Sequence, residues 1–149
     1  MSNEVLSEAE IHARYAAKAE QYAKLLNIEA NVMVHMARRQ YLPAIMGFSD
    51  SVVQVVLNRK SAGIGAKTEE EIACKLADGI ASIRELTSEL EDKNARAASV
   101  EDLGERDEYY RDEVLPTMEA LRASVDAMES VCAKECWPVP SYNDMLFYV

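Results

Sequence analysis

A chain of 149 residues, 49% apolar and 28% charged, has the size of one domain and enough apolar side chain for a real core. A net charge of −10 argues against nucleic-acid binding, which rests on clustered Lys and Arg. Five Gly and four Pro argue against disorder and against an all-β fold rich in turns.

Met1-Ser2-Asn3-Glu4 lacks the basic start and apolar stretch of a signal peptide. No segment reaches the ~18 apolar residues of a membrane span. Three Cys show no paired framework, so a cytoplasmic setting is expected.

The first element opens on Ser7-Glu8-Ala9-Glu10, a capping box. Ile11, Tyr15, Ala19, Tyr22, Leu26, Ala30, Met33 and Ala37 follow at steps of three and four, which predicts an amphipathic helix. Pro43 predicts a kink, because proline removes one backbone bond and crowds the turn before it. Apolar residues continue through Val56 and Leu57, so the helix is predicted over about 8–60.

Ser61 to Lys67 holds two Gly in three residues and reads as a loop. Thr68-Glu69-Glu70-Glu71 reads as a second capping box, and Ile72, Leu76, Ile80, Ile83, Leu86 and Leu90 predict a helix over 69–97. Ser99 is the expected cap of a third helix over 100–136, with the stripe Leu103, Tyr110, Val114, Met118, Leu121, Val125, Met128 and Cys132. Pro116 is its expected kink, and Pro138 its limit.

The prediction is an all-α fold, a single helical domain over 1–149. It is an antiparallel bundle of three long helices, four if the first is broken at Pro43. An extended aromatic tail over 137–149 completes it. The acidic runs Glu69 to Glu71, Glu89 to Asp92 and Glu101 to Glu113 read as solvated helix faces, with a docking face for a basic partner as the alternative.

No catalytic, cofactor-binding or metal-binding set emerges from the spacing. Gly63-Ile64-Gly65-Ala66-Lys67-Thr68 lacks the Gly that a phosphate-binding loop needs directly before its Lys. Cys132 and Cys136 lie one turn apart and Cys74 on another helix, where Cys behaves as a small hydrophobe. His12 and His35 are not preceded at three residues by Glu, so the di-iron signature of helical bundles is absent. Glu29 stands close to the apolar stripe and needs a partner there; a buried ion pair with Arg38 or Arg111 is expected. Trp137, Pro138, Pro140, Tyr142, Leu146 and Phe147 are too apolar for a loose end and are expected to dock, on this bundle or on a partner.

The tail Trp137-Pro138-Val139-Pro140-Ser141-Tyr142, with Asp144, Leu146 and Phe147 after it, resembles the carboxyl end of type III glutamine synthetases. Glu8 to Tyr15 resembles the start of that family's C-terminal helical region. Asn27-Ile28-Glu29-Ala30 and Met36 to Ala44 resemble its first long helix, and Tyr109 to Arg122 its last. Asn143 departs from the family's Gly, and the loop and middle helix match only in character.

The resemblance implies a non-catalytic C-terminal domain with a structural or assembly role, in an enzyme that makes glutamine from glutamate, ammonia and ATP. ATP and divalent metal would be held by the parent enzyme, outside this chain. The implied partners are the catalytic body and neighbouring subunits of a homo-oligomer. Met1-Ser2-Asn3 reads as an artificial start, which fits a piece of a longer chain. The alternative is a freestanding helical module for protein interaction or regulation.

Overall fold

The computed structural model describes residues 7–140 and 142–146, without the side chains of Glu8, Tyr142 and Asn143. Among them the structure is all helix and connection, with no strand. The order is α1 (Glu8–Met36), a π turn (Ala37–Tyr41), α2 (Leu42–Ser61), α3 (Lys67–Ala98), α4 (Leu103–Tyr109), a second π turn (Tyr110–Val114), α5 (Leu115–Glu129), a 3-10 turn (Lys134–Cys136) and α6 (Tyr142–Leu146).

The caps follow local chemistry. Ser7 and Glu10 form the expected capping box, the Ser7 hydroxyl accepting from the Glu10 N–H while the Glu10 carboxylate accepts from the Ser7 N–H at 2.9 Å. The other two expected caps are displaced. α3 starts at Lys67 behind Ala66, with no side-chain cap, so Thr68 already lies inside the helix. Its Glu69 and Glu70 pair instead with Arg59 and Lys60 across the loop. Ser99 closes α3, and Asp102 caps α4 by accepting from the Glu105 N–H at 2.9 Å.

The α2–α3 loop ends α2 in a Schellman motif. The Ile64 N–H reaches the Arg59 carbonyl at 2.8 Å, and the Gly63 N–H the Lys60 carbonyl at 3.0 Å. Gly63 sits at φ 73°, a conformation that only a residue without Cβ adopts at no cost.

Both internal prolines follow a π turn. The Leu42 N–H bonds the Ala37 carbonyl and the Leu115 N–H the Tyr110 carbonyl, five residues back in each case. Proline at 43 or 116 cannot donate, and its ring crowds the carbonyl four residues earlier. One extra residue in the turn takes up that crowding, and helical dihedrals continue through Leu42 and Leu115. The disturbance expected at each proline is therefore a widened π turn between two α-helical segments.

α3 is the hub, packing against α1, α2, α4 and α5. Its buried positions Leu76, Ile83, Thr87, Leu90, Asn94 and Ala97 keep the spacing of one helix face. They meet Ala23, Leu26, Ala30, Val34 and Ala37 of the first helix, Ile45 of α2, and Tyr110, Val114, Met118, Leu121, Val125 and Met128 of the third. The two buried threonines bond their own helix, Thr87 to the Ile83 carbonyl at 2.6 Å and Thr117 to the Glu113 carbonyl at 2.9 Å.

The last long helix stops at Glu129, short of the predicted 136. Val131 bonds back only three residues to Met128, and Ala133 is extended at ψ 141°, which turns the chain.

Candidate functional site

The chain beyond α5 folds back onto the bundle. After the 3-10 turn Trp137 is extended, at φ −79° and ψ 128°, as a residue before proline must be. Its half-buried indole meets the Tyr41 ring at 5.3 Å between centroids, tilted by 40°. Tyr41 is the last residue of the first π turn, so the widened turn before Pro43 carries the tail's landing point. Burial, reinforced by Glu129 and Asp126, pushes the Tyr41 phenol above its ordinary pKa. The Trp137 indole N–H is buried without an acceptor among the described residues.

Around this contact lie two cavities. One, of about 390 Å³, is lined by Met33, Met36, Ala37 and Tyr41 on one side and Leu121, Arg122, Val125 and Asp126 on the other. The second, of about 220 Å³, lies under the tail between Cys132, Trp137, Val139 and Asp144. Lys134 holds the Asp144 carboxylate of α6, which raises the lysine's pKa, so a surface ion pair closes the tail over that cavity. The Cys132 thiol is pushed up by burial first and by Cys136 second.

The predicted docking residues divide. Trp137 is seated on the bundle, while Pro138 and Pro140 are exposed. Trp137 is extended, Pro138 and Val139 form a bend, and α6 follows, whose Met145 and Leu146 are 62% and 73% exposed. The Tyr142 side chain and all of Phe147 lie outside the described residues.

The expected ion pair of Glu29 with Arg38 or Arg111 does not form. Glu29 points to solvent. Arg38 makes a two-pronged contact with Glu91 of α3, Nη1 to Oε1 at 2.8 Å, and Arg111 pairs with its neighbour Asp112 at 2.7 Å. Leu26, Ala30 and Val34 take the core side of α1, and Glu29 lies on the exposed face with Leu25 and Val32. Glu91 is held below its ordinary range chiefly by the hydrogen bonds from Arg38. On the other side of α3, Lys93 reaches Glu89 at 2.8 Å, Glu113 at 3.0 Å and the Thr117 hydroxyl at 3.1 Å. Arg38 and Glu113 belong to the two π turns, so each widened turn is tied to α3, two residues apart.

The spacing missed Asn94. This buried amide donates to the Asn27 and Asn31 side-chain oxygens at 2.8 and 3.2 Å, a polar tie between α3 and α1. Asn27-Ile28-Glu29-Ala30-Asn31 carries its two acceptors one turn apart, which was the available signal. Among the described residues no three His, Cys, Asp or Glu gather as a metal site. Among the same residues no helix is long and apolar enough to cross a membrane.

Comparison with known proteins adds sequence relationships to this geometry. The family described as glutamine synthetase C-terminal domain matches residues 1–60. A glutamine synthetase of Bacteroides fragilis (strain YCH46) is 20% identical over 96% of this chain and 20% of its own length. A type-3 glutamine synthetase of Dictyostelium discoideum is 23% identical over 96% of this chain and 20% of its own. The chain thus spans about a fifth of the length of the curated relatives it matches. The chain is thus similar to glutamine synthetases over nearly all of its length, and over residues 1–60 to the family of their C-terminal domain.

Proposed function

We propose that this chain is the non-catalytic C-terminal helical domain of a type III glutamine synthetase and serves its structure and assembly. The observation that carries the proposal is similarity over 96% of this chain to two glutamine synthetases five times its length, joined to the C-terminal-domain match. In this reading the ligase chemistry, with its ATP and divalent metal, belongs to a catalytic body outside these residues, in the cytoplasm. The bundle supplies a rigid surface on which that body and neighbouring subunits rest. The exposed Met145 and Leu146 beside the anchored Trp137 support a docking role, because apolar side chains on a held segment are set out for a partner.

The test is the mass of the native polypeptide in its source cells, read with an antibody raised against these residues. A band several times larger than 16.6 kDa is expected. A band at 16.6 kDa would overturn the reading and leave a freestanding interaction module.

A further inference from the structure

α1 has two apolar faces, and the bundle uses one of them. Ala19, Ala23, Leu26, Ala30, Val34 and Ala37 are buried in the core. Ile11, Tyr15, Tyr22, Leu25 and Val32 are 54, 68, 40, 53 and 50% exposed, and Met36 is half-buried at the end of the row. With Lys18 and Glu29 this second row reads 11, 15, 18, 22, 25, 29, 32, 36, alternate steps of four and three. That is the 3.5-residue repeat of a helix seam that packs against another helix along its length. Lys18 and Glu29 are both exposed, and neither side chain has an ion pair or hydrogen bond within the described residues.

We propose that this seam pairs with the same seam of a second copy of the chain, antiparallel, about a two-fold axis between Tyr22 and Leu25. In that register Tyr22 faces Leu25, Lys18 faces Glu29, Tyr15 faces Val32 and Ile11 faces Met36, each pair occurring twice. The charges select it. A parallel pairing sets Lys18 against Lys18 and Glu29 against Glu29, and a shift of one heptad sets each charge against an apolar residue. The contact runs about 38 Å at 1.5 Å per residue.

It also covers the part of α1 that the bundle leaves bare. No described residue before Ala19 is buried, and a helix without tertiary packing is marginal in water. In the dimer Ile11 and Tyr15 pack on the partner's Val32 and Met36. The proposal does not depend on the parent enzyme being a glutamine synthetase.

The test is sedimentation velocity of the 149-residue chain across a concentration series, with Lys18→Glu, Glu29→Lys and the double variant. These positions are exposed, so circular dichroism should show all variants folded. The expected result is a mass of twice 16.6 kDa at high concentration for the natural chain. Each single reversal, which turns two attractive pairs repulsive, should weaken it by roughly tenfold or more. The double variant should regain the dimer. A chain that stays monomeric, a dimer indifferent to both single reversals, or a double variant no better than the singles would each overturn the proposal.

Discussion

The Trp137 ring rests on the Tyr41 ring at 5.3 Å, joining the C-terminal segment to the π turn that precedes Pro43. The contact joins residues 96 positions apart and sets two half-buried aromatics together at a cavity edge. Trp137→Ala should cost about 2 kcal/mol, less than a fully buried aromatic because the ring is only half covered. Trp137→Phe keeps the stack and removes an indole N–H that is buried without an acceptor, so it should be near neutral. Urea midpoints at unchanged slope would report both, and equal losses for the two variants would refute the stacking account.

Gly79 faces Met128 across the α3–α5 contact. A Cβ built on Gly79 would lie 2.1 Å from the Met128 sulfur, the far end of a flexible side chain. Gly79→Ala gains helix propensity of about 1 kcal/mol but must displace that thioether, so the net change should be a loss of about 1 kcal/mol. In a Met128→Ala background the clash is gone and the same substitution should stabilise. Thermal melts of the four chains form a double-mutant cycle, and additive effects would show that the two residues do not meet.

Asn94 tests the polar tie in the core. Asn94→Asp removes the donor and puts a carboxylate opposite two amide oxygens at a position only 4% exposed, so a loss of about 2–4 kcal/mol is expected at neutral pH. Asn94→Leu should be much milder. Asn27 and Asn31 remain bonded to each other at 3.1 Å, at the rim of the core. Denaturant titrations ranking the two substitutions in the opposite order would contradict this.

The Arg38–Glu91 contact predicts an acid limb. The Glu91 carboxyl titrates lower in the fold than in the unfolded chain, so its contribution is present above the ordinary glutamate value of 4.5 and is lost as pH falls through the depressed value. Both groups are exposed, so the effect at neutral pH should be small. Melting temperatures of the natural chain and Glu91→Gln should nearly agree at pH 7. Below pH 4.5 the natural chain should fall more steeply. Parallel curves would mean that the contact does not persist in solution.

Three long helices, the Ser7–Glu10 cap and the Gly63 loop were legible in the sequence, because each rests on neighbours within a few residues. The spacing of three and four along Ile72 to Leu90 and Leu103 to Met128 already marks faces that must be covered. Prolines at 43 and 116 marked positions where an α ladder could not run undisturbed. What they could not show was the response. At both positions the helix takes the form of a π turn, and packing against α3 goes with that widened turn.

The first helix shows best where local pattern stops. One stripe from Ile11 to Ala37 could be drawn through it, yet the structure divides those residues between a core row and an exposed row. Two adjacent apolar rows both satisfy steps of three and four, and only the position of α3 decides which is inside. Glu29 follows the same rule. Its closeness to the stripe suggested a buried partner, but the stripe it borders is the exposed one, and Arg38 turns to α3. Likewise the apolar tail announced that it must dock, while its landing point on Tyr41 depended on a contact between residues 96 positions apart. Periodicity and capping are one-dimensional and were fixed by composition and order. The choice among equally apolar faces is made by what lies across the gap, which exists only once the chain has folded.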